Sequence, residues 1–189
     1  MTLEETKRTL VGGWVSLAPE VRPSATKNPD GTLKPLYLSR EFKYLGNDRF
    51  ELTISNWADP TGKVAIAHIY LRGHISWVGE HPIAVGAQKA NFVADEAYEV
   101  TPMIAGFTDI LNKVASAGFA PWQVGQSQSV LGKAFAPFGL VEGRHFMEYD
   151  LIYVQREYLF WGARNIDGRG FDTEQNRPTN LQIPLRRKS

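Results

Sequence analysis

The sequence predicts a mainly β protein, α+β at most, built as an antiparallel barrel or half-barrel with one main helix near 102–117. Three observations predict it. "LYLSREFKYL", "FELTISNW" and "KVAIAHIYLRGHIS" alternate apolar with polar residues, as half-buried strands do. "GNDR" and "ADPTG" separate these runs and read as turns. Only "TPMIAGFTDILNKVASAG" carries a convincing helical pattern.

The elements follow in order. Residues 1–10 place Leu3 and Leu10 among charges and read as a short helix or an arm. "LVGGWVS" is a first strand, with Trp14 anchored at its base. "PEVRPSATKNPDGTLKP" holds four prolines and reads as a loop, with a turn at Asn28-Pro29-Asp30-Gly31. Three alternating strands come next, and "GEHP" ends the third. "AVGAQKANFVADEAYEV" holds one or two more. In the helix, Thr101 is placed as the cap, Pro102 at the first position and Gly118 at the close. Ile104, Phe107, Leu111 and Val114 form its apolar stripe. "PWQVGQSQSVL", "HFMEYDLIYVQ" and "REYLFWGAR" read as further strands, and 165–189 as an extended C-terminal segment. The whole is a lipocalin-like β architecture.

Composition narrows the function. The chain has 189 residues, 43% hydrophobic and 22% charged, which fits a single globular domain over 1–189. A net charge of +1 argues against a nucleic-acid binder. With no cysteine, neither a disulfide frame nor a thiolate zinc site can form. No run of about 18 apolar residues exists, so no integral membrane segment is expected. "MTLEETKRTL" is too charged for a signal peptide, and the cytoplasm is the simplest address.

Candidate site residues come from the strand faces. In "KVAIAHIYLRGHIS", which begins at Lys63, His68, Tyr70, Arg72 and His74 stand in one row at about 6.6 Å intervals. Ala65, Ala67, Ile69, Leu71 and Ile75 take the other face. The row lines either a mixed pocket or a wet sheet face, and we assign it to the interior. In "LYLSREFKY", Arg40 shares a face with Leu36, Leu38, Phe42 and Tyr44. It therefore needs a carboxylate, carbonyl oxygens or a ligand, and Glu20 and Glu148 are the named carboxylates. Glu148 and Asp150 share a face of "RHFMEYD", and an inward Glu148 is a general-base candidate with a raised pKa. Trp14 and Trp122 are expected to seal the barrel, and Trp57, Trp77 and Trp161 to line or rim it. No G-x-S-x-G, H-E-x-x-H, P-loop or dinucleotide fingerprint occurs, so no cofactor and no metal are expected.

"GWVSLAPEVRP", "LYLSREFKY", "WADPTGK", "YLRGHIS", "EVTPM", "PWQVGQSQSV" and "NRPTNLQIPL" together resemble the repeat domain of the adenomatosis-polyposis-coli-down-regulated (APCDD) family, in the family's order and over nearly the whole chain. The resemblance implies a β-rich half-barrel with an apolar, lipid-binding cavity. It puts Trp14, Glu20, Arg22, Arg40, Tyr70, Arg72, Gly73, Trp122 and Gln123 on recurring family positions. The family's domains carry a cysteine before E-V-R-P and another after the D-P turn, where this chain has Pro19 and Gly62. Joint loss of both suits a reducing compartment. The family's extracellular Wnt inhibition does not carry over.

The sequence thus predicts a binder of a hydrophobic or amphipathic small molecule, lipid-, acyl- or polyketide-like, held by Glu20, Arg22, Arg40, Tyr70, Arg72, Trp77, Gln123 and Trp161. The alternative is a cofactor-independent cyclase, isomerase or hydrolase using His68, Tyr70, His74 or Glu148. Since the family joins two half-barrels and this chain has one, a homodimer is a further expectation.

Overall fold

The computed structural model describes residues 1–164 and 170–188. Residues 165–169 and 189, part of the predicted extended segment, lie outside the described residues. Among the described residues, ten strands and two α-helices run in the order α1 (Leu3–Leu10), β1 (Gly12–Ser16), β2 (Glu20–Lys27), β3 (Leu33–Tyr44), β4 (Arg49–Trp57), β5 (Ala65–Glu80), β6 (Gln88–Pro102), α2 (Ala105–Val114), β7 (Gln128–Ser129), β8 (Phe146–Gln155), β9 (Tyr158–Trp161) and β10 (Leu185–Arg187).

Eight strands close into an antiparallel ring in the order β1, β10, β9, β8, β6, β5, β4, β3. β1 completes the circuit by pairing β3, with Trp14 opposite Phe42. The closing strand β10 lies within the segment expected to be extended, and pairs Leu185 with both Leu159 and Ser16. An eight-stranded ring is just wide enough to be filled by side chains or to hold one small ligand.

β2 pairs only β3, outside the ring. The proline-rich stretch predicted as a loop therefore contains an edge strand, which tolerates Pro23 because one of its edges needs no donor. The turn after it forms where expected, with Asn28 N–H donating to Thr32 O at 2.7 Å.

Inward positions alternate along the long strands. Phe42 and Tyr44 on β3, Phe50 and Leu52 on β4, Ile69, Leu71 and Ile75 on β5, and Phe92 and Ala94 on β6 are buried. Each large side chain among them contributes about 1.5–3 kcal/mol of burial. Gly73 sits where β5 and β6 lose register. A Cβ there would stand 1.8 Å from Val93 O, so no other residue fits this approach.

α1 begins with a capping box, Thr2 N–H donating to Glu5 and Glu5 N–H to Thr2 Oγ1. Its last residue, Leu10, is buried and accepts from Trp14 Nε1 at 2.7 Å. The predicted second helix is shorter than expected: Thr101 and Pro102 end β6, Ile104 is the N-cap, and Ala115 ends the helix. The buried helical residues are Thr108 and Leu111, whereas Val114 is exposed. "PWQVGQSQSVL" supplies only the two-residue strand β7. Trp122 in this stretch is buried and donates from Nε1 to Ala115 O at 2.8 Å, tying the stretch to α2. Among the described residues no helix is long and apolar enough to cross a membrane.

Candidate functional site

Inside the ring lies a cavity of about 200 Å³. Its apolar wall comes from inward positions on three adjacent strands: Leu38 and Phe42, Leu52 and Ile54, and Ile69. Trp161 of β9 packs onto this wall, its ring 4.3 Å from Phe42 and 4.4 Å from Phe92 between centroids. Arg22, Arg40, Arg164, Asn56, Glu148 and Asp150 supply the polar lining. Arg164 is exposed and marks the open side, together with Phe171.

Arg40 finds the partner that its apolar neighbours demand. Its Nη2 donates to Glu20 Oε2 at 3.0 Å. The same oxygen accepts from Arg22 Nη2 at 2.8 Å and from Arg22 Nε at 3.2 Å. Register brings the three together: Glu20 lies opposite Leu38 and Arg22 opposite Leu36, on the strand that carries Arg40. Only 9% of the Arg40 side chain is exposed, and burial lowers its affinity for the proton while Glu20 restores it. Arg40's other guanidinium nitrogens make no hydrogen bond among the described residues.

Glu148 and Asp150 stand two apart on β8 and therefore face the same way. Burial pushes the Glu148 carboxyl up, opposed by Arg40, Arg22 and Arg164. No donor reaches it within hydrogen-bonding distance among the described residues. Asp150, 1% exposed, is pushed up to about 8, first by burial and then by the neighbouring Glu148. Its Oδ1 accepts from Leu151 N–H at 2.7 Å and from Gly162 N–H at 2.9 Å. A carboxyl with that pKa is mostly protonated at neutral pH and can donate.

The row assigned to the interior faces outward instead. On β5 the small apolar face, Ala67, Ile69, Leu71 and Ile75, is buried in the ring, and His68, Tyr70, Arg72 and His74 are on its outer wall. The physical reason is the narrow interior together with the register break at Gly73, beside which the outer row meets acidic partners. Arg72 Nε lies 2.8 Å from Glu96 and His74 Nδ1 2.8 Å from Asp95, and these basic side chains are 42% and 44% exposed. Arg49 also bonds Glu96. His68 Nδ1 is 2.9 Å from Ser55 Oγ, so it is engaged away from Tyr70. The Tyr70 hydroxyl is raised, chiefly by burial, which keeps it a phenol.

Two further predicted ligand residues are corrected. Trp77 is at the α1 end, donating to Asp48 Oδ1 at 2.9 Å beneath Lys7. Gln123 is exposed and accepts from Gln126 at 2.9 Å. Arg22, Arg40, Glu148 and Trp161 do line the cavity, and Glu20 bonds the two arginines. Asp150, Arg164, Asn56 and Phe171 were missed as site residues. Asp150 had a signal in its shared face with Glu148, and the others had none.

A second cleft of about 250 Å³ lies against Ser39, Thr53, Ser55 and Trp57. Its three serine hydroxyls are already used: Ser39 accepts from Trp57, Ser55 bonds His68, and Ser16 accepts from Arg40 N–H. The interior cavity, with polar groups left open among apolar walls, is the better site. No group of side chains that could hold a metal ion is found among the described residues. The chain matches no family model.

Proposed function

We propose that this protein binds a small amphipathic molecule inside the barrel, its apolar part against the aliphatic and aromatic walls and its polar end on Arg40. The observation that carries the reading is a buried guanidinium with unused donors, lining a cavity of about 200 Å³. Apolar contact supplies about 25 cal/mol per Å² buried, and the arginine supplies orientation. An apolar cavity of about 150 Å³ already holds benzene, whereas drug-sized ligands occupy about 300–1,000 Å³. Within the lipid-, acyl- or polyketide-like class, the volume favours compact members. Native mass spectrometry of protein purified from its own host should show a retained small molecule. An Ile54→Trp variant that fills the cavity and still folds should lose it. Retention by that variant would refute the interior site.

Kinship with the APCDD family belongs to the same proposal. Two features support it: Glu20, Arg22 and Arg40, all on family positions, share hydrogen bonds, and Pro19 and Gly62 lie side by side. Tyr70, Arg72 and Gln123 do not join them. A cysteine-free member of that family suits a reducing compartment such as the cytoplasm. The closed ring needs no second copy to complete its wall. A homodimer would therefore use another surface, and sedimentation at micromolar concentration tests it.

One observation favours turnover as a second reading: two inward carboxyls with raised pKa share the cavity. Under it, Glu148 is the base and Asp150 the proton donor in a cofactor-independent isomerisation, cyclisation or hydrolysis. Asp150→Asn and Glu148→Gln should each abolish turnover of the retained molecule, and unchanged turnover in both excludes it.

A further inference from the structure

The charges around the cavity are unequal. Arg22, Arg40 and Arg164 bring three guanidiniums to its lining. Glu20 lies behind two of them and spends a single oxygen on both. With Asp150 holding its proton, Glu20 and Glu148 are the acids left to be ionised there among the described residues, so against three guanidiniums these residues keep at least one positive charge uncompensated. A buried guanidinium of that kind takes a planar anion through paired N–H donors. The Trp161 ring, stacked on Phe92 and 5.9 Å from the Arg40 guanidinium, gives the cavity a flat aromatic surface beside that charge. Glu148 meanwhile lines the same space with acceptor oxygens that no donor among the described residues meets.

From these features we infer that the ligand is a single-ring hydroxy acid: its carboxylate lies on Arg40, its ring against Trp161, and its hydroxyl donates to Glu148. The inference rests on the interior-binding reading and narrows it to a chemical class. Each part answers one unmet need of the cavity. The carboxylate supplies the missing negative charge, the ring matches about 200 Å³, and the hydroxyl gives Glu148 a donor. Long acyl chains satisfy the first need and exceed the volume. Neutral terpenoid-like molecules fit the wall and leave the arginine unpaired.

Calorimetric titration of the wild-type chain with benzoate, its three hydroxy isomers, their methyl esters, decanol and palmitate tests this. At least one hydroxy isomer should bind ten or more times more tightly than its methyl ester, and five or more times more tightly than benzoate. Arg40→Met should erase the preference for acid over ester. Glu148→Leu should erase the preference for the hydroxy acid over benzoate. The acid–ester comparison needs no variant, so a variant that misfolds leaves the test intact. If esters or decanol bind as well as the acids, or palmitate binds more tightly than all of them, the hydroxy-acid assignment is overturned and interior binding stands. If none of these probes binds and Ile54→Trp protein retains the host molecule, both fall.

Discussion

Pro19 and Gly62 are side by side: a Cβ on Gly62 would stand 3.2 Å from Pro19 Cγ, with the Trp57 ring 3.5 Å away. The residues belong to different segments, one entering β2 and the other in the β4–β5 turn. They are the positions where the proposed kinship places a pair of cysteines. Proximity of this kind is what such a pair requires.

A Pro19→Cys/Gly62→Cys variant should therefore close a disulfide on mild oxidation. Loop closure of this length is worth about 4 kcal/mol, reduced by about 1 kcal/mol because Gly62 has a φ of 68°. Mobility on a non-reducing gel and melting with and without reductant check it. Thiols that stay open to alkylation after oxidation would count against both the proximity and the kinship.

Glu20 holds two guanidiniums through one oxygen, so its loss should be felt more than that of a surface acid. Glu20→Ala should cost about 3 kcal/mol, the lower end for breaking a buried pair, because 15% of the side chain is exposed. Urea unfolding measures it. Adding Arg40→Met should recover part of the loss, since an apolar side chain leaves no unpaired charge in that wall.

Much of this was legible in the strands. The Arg40 face was readable because a lone cation among Leu38, Phe42 and Tyr44 has one reasonable orientation, and register then supplies Glu20. The β5 face was not. Both of its sides carry apolar residues near Ala65, and the deciding register break at Gly73 depends on β6, far along the chain. β2 was hidden because prolines argue against strands in general and only its edge position excuses them. Closure by the three-residue β10 was illegible, since so short a strand has no periodicity to read.

Gly73→Ala tests that register break. The added carbon meets Val93 O at 1.8 Å and Asp95 Oδ1 at 2.8 Å, and backbone cannot move aside cheaply. We expect a loss of about 3 kcal/mol or more, seen as a lower melting temperature, or failure to fold.

Asp150 gives stability a pH dependence of definite sign. Its pKa rises from 3.8 to about 8 on folding, so between these values the folded chain holds a proton that the unfolded chain has released. This contribution is complete below about pH 4 and lost as pH rises through about 8, with a slope of at most about 1.4 kcal/mol per unit. The raised Glu148 carboxyl acts in the same direction. In Asp150→Asn the amide oxygen can still accept from Leu151 and Gly162, so the decline should flatten and the variant should be the more stable protein at pH 9. Unfolding midpoints from pH 5 to 9 for both proteins decide it, and parallel curves would remove Asp150 as the source.

The outer row supplies the opposite control. Arg72 and His74 are more than two-fifths exposed and pair with Glu96 and Asp95 across the surface. Exposed pairs of this kind are worth about 0–1 kcal/mol. Arg72→Ala and His74→Ala should each shift stability by less than about 1 kcal/mol and leave affinity for the best hydroxybenzoate within twofold. Arg40→Met, behind the wall, should lower that affinity tenfold or more. Both arginines carry the same charge, on strands β3 and β5 that flank β4, and they face opposite sides of the wall. Should Arg72→Ala weaken binding as much as Arg40→Met, the ligand lies outside the barrel.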